Sequence, residues 1–188
     1  MGPAAESLAA EALAAPVIEA HWPGFVDLRQ APARAWDLPE TVQFPALGEA
    51  LAKLNSADSP VWTSKCDLWD HLQQDEFDAD ELDAPPGHAT HAMGCYVDLL
   101  PRSDQQWSTP AMAAADCKRI CKLLRPIPLR CCRADLILRR SFITPNLPAL
   151  GITVYLTSCG ESPAEAALAF QHALTAFTDV LCAHSTLE

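Results

Sequence analysis

In four expected strands of this chain an aspartate stands directly before a leucine: Asp27-Leu28, Asp67-Leu68, Asp98-Leu99 and Asp135-Leu136. In short β-favouring runs successive side chains point to opposite faces, so the leucines go inward and the carboxylates outward. A fifth run places Tyr155 at the matching position, before Leu156. The outer face then carries Asp27 and Arg29, next Lys65, Asp67 and Trp69, next Tyr96 and Asp98. Arg133, Asp135 and Arg139 follow, with Thr153 and Tyr155 last. Carboxylates aligned across a sheet repel, so they must alternate with basic residues or be neutralised by something bound. Three chemistries fit. One is a water-facing lattice of alternating charge. Another is a recognition surface for a partner protein or a polar small molecule, with Trp69, Tyr96 and Tyr155 as flat contacts. The third is a cation site, which needs carboxylates converging on one point rather than lying in a row.

Cysteine and histidine offer a fourth chemistry. Cys117 and Cys121 are four apart, and His88 and His91 three apart, spacings that suit metal ligands. His88, His91, Cys117 and Cys121 thus form an alternative metal site, although nothing in the spacing brings the two halves together. The competing account makes most of the eight cysteines small core hydrophobes. Cys159, just before a helix start, and Cys131, beside Arg130 and Arg133, are best placed for a reactive thiolate. Neither has an evident histidine partner.

Elements that would position these residues follow from periodicity and breakers. Strands are expected at Phe25–Arg29, Val61–Trp69, Cys95–Leu100, Arg130–Arg140 and Ile152–Ser158. Helices are expected after Pro45, Pro110 and Pro163, where proline at the first helical position loses no hydrogen bond. Leu47, Leu51 and Leu54 line one side of the first. Ala113, Cys117, Ile120, Cys121 and Leu124 line the second, and Ala167, Phe170, Leu174, Phe177 and Leu181 the third. Ser162 and Glu165 make a capping box around Pro163. Three stretches share a plan of glycine, short strand, turn and proline-led helix, which reads as an internal repeat. The order predicts an α+β domain: a ferredoxin-like βαββαβ core extended by a fifth strand and a third helix. Its sheet would be antiparallel, with the helices on one face. Such an architecture carries no function by itself.

Residues 1–21 read as an Ala-rich helix or arm, 22–186 as the single domain, and Leu187–Glu188 as a tag remnant. Within the domain, 70–91 is a long loop with six acids among residues 75–83, lacking the glycine and closing glutamate of a calcium loop. The chain is 49% hydrophobic with a net charge of −11, which argues against a general nucleic-acid binder. No run is apolar enough for a membrane span, and no export signal opens the chain, so a cytoplasmic location is expected. No phosphate-cradling glycine loop, dinucleotide fingerprint or hydrolase elbow occurs, and no cofactor is expected. The sum favours a non-enzymatic binding module using the open sheet face, with a homodimer through that face as one form of partner. A metal protein or metal-dependent enzyme is the alternative.

Overall fold

The computed structural model describes residues 16–20, 22–72, 77–144 and 147–183. Its elements are β1 (Ile18–Glu19), a 3-10 turn (Pro32–Asp37), α1 (Pro39–Gln43), α2 (Pro45–Leu54), β2 (Val61–Leu72) and β3 (His91–Pro101). They continue with α3 (Pro110–Leu124), β4 (Cys132–Thr144), β5 (Leu147–Gly160) and α4 (Pro163–Cys182). All three anticipated helices begin at their prolines. Ser162 Oγ accepts from the Glu165 amide at 3.3 Å, and the Glu165 carboxylate reaches back to the Glu161 amide at 2.9 Å. The box therefore closes one residue earlier than its usual form.

The five strands form one mixed sheet in the order β1-β4-β5-β3-β2. Its four long strands are antiparallel neighbours, while two-residue β1 runs parallel to the end of β4, Ile18 opposite Ser141. The chain is α+β as expected, but neither the βαββαβ core nor a purely antiparallel sheet is found. The reason lies in Phe25–Arg29, which forms turns and coil rather than a strand. Val26–Arg29 alternates apolar and polar and so matches a strand in pattern, yet β3 and β5 pair directly and leave no slot between them. The first copy of the proposed repeat accordingly lacks its strand. Gly94 and Gly151 lie inside β3 and β5, not at their starts.

The inward residues were legible from alternation. Cys95, Val97 and Leu99 of β3, and Ile152, Val154 and Leu156 of β5, are buried beneath the helices. Cys66, Ala134, Leu136 and Leu138 pack against the same cluster. From the helices, Leu47, Leu51, Leu54, Ala113, Ile120, Phe170, Leu174, Phe177 and Leu181 complete it. Ser64 departs from the pattern. A β-bulge between Thr63 and Cys66 sets Ser64 and Lys65 together opposite Asp98, and the Ser64 hydroxyl points away from the helices to the Glu19 carbonyl, 2.8 Å away.

That hydroxyl helps tie the curled sheet together. β1 is paired to β4, and the Ala20 amide donates to the Phe142 carbonyl at 3.0 Å. The next residues reach β2, at the opposite edge, through Ser64 and through Trp22 Nε1, which donates to the Ser64 carbonyl at 3.3 Å. Ile18, Glu19, Ala20 and Trp22 thus bridge the two outer strands across the helix-free face. Ile18, Ala20, Trp62 and Leu100 form a second small core beneath them. A side chain at Gly151 would meet Ile18 Cδ1 at 2.7 Å, so glycine there permits the crossing. Of the Ala-rich stretch, residues 1–15 and His21 lie outside the described residues, as do 73–76 of the long loop and the tag remnant. That loop is shorter than expected, because β2 runs on to Leu72 and its pairing partner β3 begins at His91.

Candidate functional site

Register settles which outward residues meet. Asp67 stands opposite Tyr96, Tyr96 opposite Tyr155, and Tyr155 opposite Asp135. The two carboxylates of this row therefore have two strands, and both tyrosines, between them. Asp98 belongs to the next row, opposite Thr153. The anticipated line of four aspartates does not form, since Asp27 is not on the sheet at all. Its carboxylate takes the Arg29 guanidinium in two hydrogen bonds of 2.8 and 2.7 Å, and that guanidinium lies 3.9 Å from the Trp62 ring centre. Asp27 and Arg29 pair with each other beside Trp62, off the strands that carry the other expected face residues.

The aromatics do come together. Trp69 and Tyr96 have ring centres 5.8 Å apart, and Tyr96 and Tyr155 5.9 Å, so three strands contribute one continuous apolar stripe. Beside it the face is concave. A cavity of about 390 Å³ opens between the sheet and the bridging segment, walled by Trp22, Tyr96 and Tyr155 and carrying Lys65, Asp98 and Arg139. Thr153 Oγ1 donates to Asp98 Oδ1 at 2.6 Å. The neighbouring Tyr96 hydroxyl is the main cause that raises the Lys65 ammonium above its ordinary value. Burial raises both Asp98 and Tyr96. For Asp98 the opposing influences are the Thr153 hydroxyl and the positive charges of Lys65 and Arg139. A carboxyl whose charge is costly, two cations and stacked rings around one hollow are what orient a polar ligand.

The other end of the face behaves as a charge lattice. Arg133 pairs with Asp135 at 2.9 Å and with Glu81 of the acidic loop. Among the twelve residues expected on the outer face, the structure gathers Lys65, Tyr96, Asp98, Arg139, Thr153 and Tyr155 at the cavity, with Trp69 continuing the stripe. Asp67, Arg133 and Asp135 flank them, and Asp27 and Arg29 stand apart. Pro16, Val17, Ile18, Glu19 and Trp22 are the cavity residues that alternation could not supply, because they precede the first long strand and reach the site only through the crossing. The lone signal was Trp22 itself, a large aromatic in an otherwise unpatterned stretch.

No three His, Cys, Asp or Glu side chains among the described residues are grouped to hold a metal ion, so the proposed His88, His91, Cys117 and Cys121 set is not assembled. His88 Nδ1 meets Glu161 at 2.5 Å, and His91 Nδ1 lies 3.0 Å from the Thr90 hydroxyl. Cys117 is half-buried on α3, and Cys121 is exposed one turn on. Burial pushes the Cys117 thiol up to about 11 and the Cys66 thiol to about 12. No described helix is long and apolar enough to cross a membrane. Compared with protein-family models, curated proteins and solved structures, the chain matches none.

Proposed function

We propose that the protein is a binding module whose helix-free face holds a polar small molecule with a flat unsaturated part. The observation that supports this is the convergence of Lys65, Asp98, Thr153 and Arg139 on a hollow walled by Tyr96 and Tyr155. Its volume of about 390 Å³ falls within the roughly 300–1,000 Å³ of small-molecule pockets. The rings supply contact area with little conformational entropy to lose, and the charged groups fix orientation. A second reading, a partner segment lying along the stripe, is favoured by Trp69, which extends the stripe and is 38% exposed. A second copy of this chain is one such partner.

Titration by amide NMR with aromatic amino acids, nucleosides and aromatic carboxylates tests both readings. A small-molecule site predicts shifts at Lys65, Asp98 and Thr153, at least roughly tenfold weaker binding in Tyr155→Ala and Arg139→Ala, and no change in Trp69→Ala. A partner segment predicts that Trp69→Ala abolishes association too, and self-association would appear in sedimentation of the unmodified chain. Absence of shifts at these residues, together with sedimentation and cross-linking untouched by Trp69→Ala and Tyr155→Ala, rejects the face as a binding surface.

A further inference from the structure

Beyond the aromatic stripe, the same face ends in a pair of thiols. Continuing the β4–β5 ladder one step past Cys132 and Ser158, the Cys159 amide donates to the Cys131 carbonyl at 2.8 Å. The two residues are therefore cross-strand neighbours. Opposed Cα atoms in antiparallel pairs stand about 4.5–5.5 Å apart, inside the roughly 4.4–6.8 Å that a disulfide spans. Cys131 packs against the small apolar cluster to which Cys159 belongs, and its sulfur is one of the causes that raise the Cys159 thiol. Access is unequal. Cys159 is 1% exposed, packed with Leu82 and Ala92, whereas Cys131 is partly open to solvent. Cys131 also has φ of 53°, in the left-handed region, where the chain bends into β4. Cys132 is the next residue along and so points to the other face, where it lines a separate groove against α3 and α4.

We propose that Cys131 and Cys159 form a peroxide-responsive thiol pair that closes to an intramolecular disulfide, with Cys131 as the attacking and Cys159 as the resolving sulfur. The Cys131 thiolate attacks one oxygen of hydrogen peroxide. The O–O bond breaks, a sulfenic acid forms, and the departing hydroxide leaves as water with the proton the thiol gave up. The Cys159 sulfur then attacks the Cys131 sulfur, so that the S–S bond forms as the S–O bond breaks, and the Cys159 proton leaves with that hydroxide as a second water. Two thiols lose two electrons in all, and one peroxide becomes two waters. Burial and the nearby Cys131 sulfur push the Cys159 thiol up to about 11, so it keeps its proton until the sulfenic acid is beside it.

The test uses the full chain, freed of reductant and given one equivalent of hydrogen peroxide. Mass spectrometry of a non-reduced digest should show the Cys131 peptide joined to the Cys159 peptide with loss of two hydrogens, reversibly by a dithiol. Cys132→Ser should keep the link and Cys131→Ser should lose it. The folded chain should close at least roughly tenfold faster than the same chain in urea, because the fold holds the sulfurs together. A Cys131 sulfenic or sulfinic acid that accumulates without cross-linking, a link through Cys132, or equal rates folded and unfolded would each overturn the assignment. The wild-type map decides the matter even if a variant at Cys159 fails to fold.

Discussion

Asp98 is the side chain on which the cavity's electrostatics turn. Its carboxyl is raised chiefly by burial, and Thr153, Lys65 and Arg139 only partly offset that cost. A carboxyl raised on folding contributes most below its unfolded value of 3.8, and that contribution is lost as pH rises through the folded value. At neutral pH, then, the ionised form weighs against the fold. Asp98→Asn keeps an oxygen for the Thr153 hydroxyl and removes the charge. It should melt above the wild type at neutral pH, and the gap should close as acid protonates Asp98 in the parent. Thermal melts of both proteins across the acidic range measure this. A lower melting temperature for Asp98→Asn at neutral pH would mean that the two cations outweigh burial.

Among the elements, the junction of α2 and β2 rests on one buried amide. Asn55 Nδ2 donates to the Leu51 carbonyl and to Thr63 Oγ1, both at 2.8 Å, and its Oδ1 accepts from the Thr63 amide at 3.0 Å. Asn55 is fully buried, so truncation leaves those groups without water as a substitute. Asn55→Ala should cost about 2–4 kcal/mol, the sum of lost bonds and an unsatisfied amide. Denaturant unfolding checks it, and a cost below about 0.5 kcal/mol would show that the strand start repairs itself. The same junction precedes the Ser64/Lys65 bulge, which turns Lys65 into the cavity and frees Ser64 to hold the crossing segment. One inserted residue thus supplies both a lining group and an anchor.

For the molecule as a whole, the curl of the sheet depends on its first described residues. The face is closed at one end by Ile18, Glu19, Ala20 and Trp22, and at the other Leu82, Phe77 and Ala84 of the acidic loop pack over Cys159. Arg133 joins that loop to β4 through Glu81. Ile18→Ala empties the centre of the small core over Gly151 and should cost about 2–4 kcal/mol. It should also loosen the crossing, so that a hydrophobic dye binds and Trp62, 2% exposed in the native chain, emits at longer wavelength. Unchanged emission with a stability loss would mean that Trp22 and Ser64 hold the segment without Ile18.

Local chemistry was enough to specify the helix starts at Pro45, Pro110 and Pro163, the cap at Ser162 and the inward leucines, because each depends on residues within a turn or two. The same alternation put Lys65, Tyr96, Asp98 and Tyr155 on one surface. It failed at Phe25–Arg29, where a strand-like pattern finds no partner to complete its ladder. It also failed at Ser64, where a bulge advances the period by one. Strand order, the stacking of Trp69, Tyr96 and Tyr155, and the meeting of Cys131 with Cys159 were decided by tertiary structure alone. Pairing joins backbone groups far apart in sequence, and alternation reports which way a side chain faces but not which strand lies beside it.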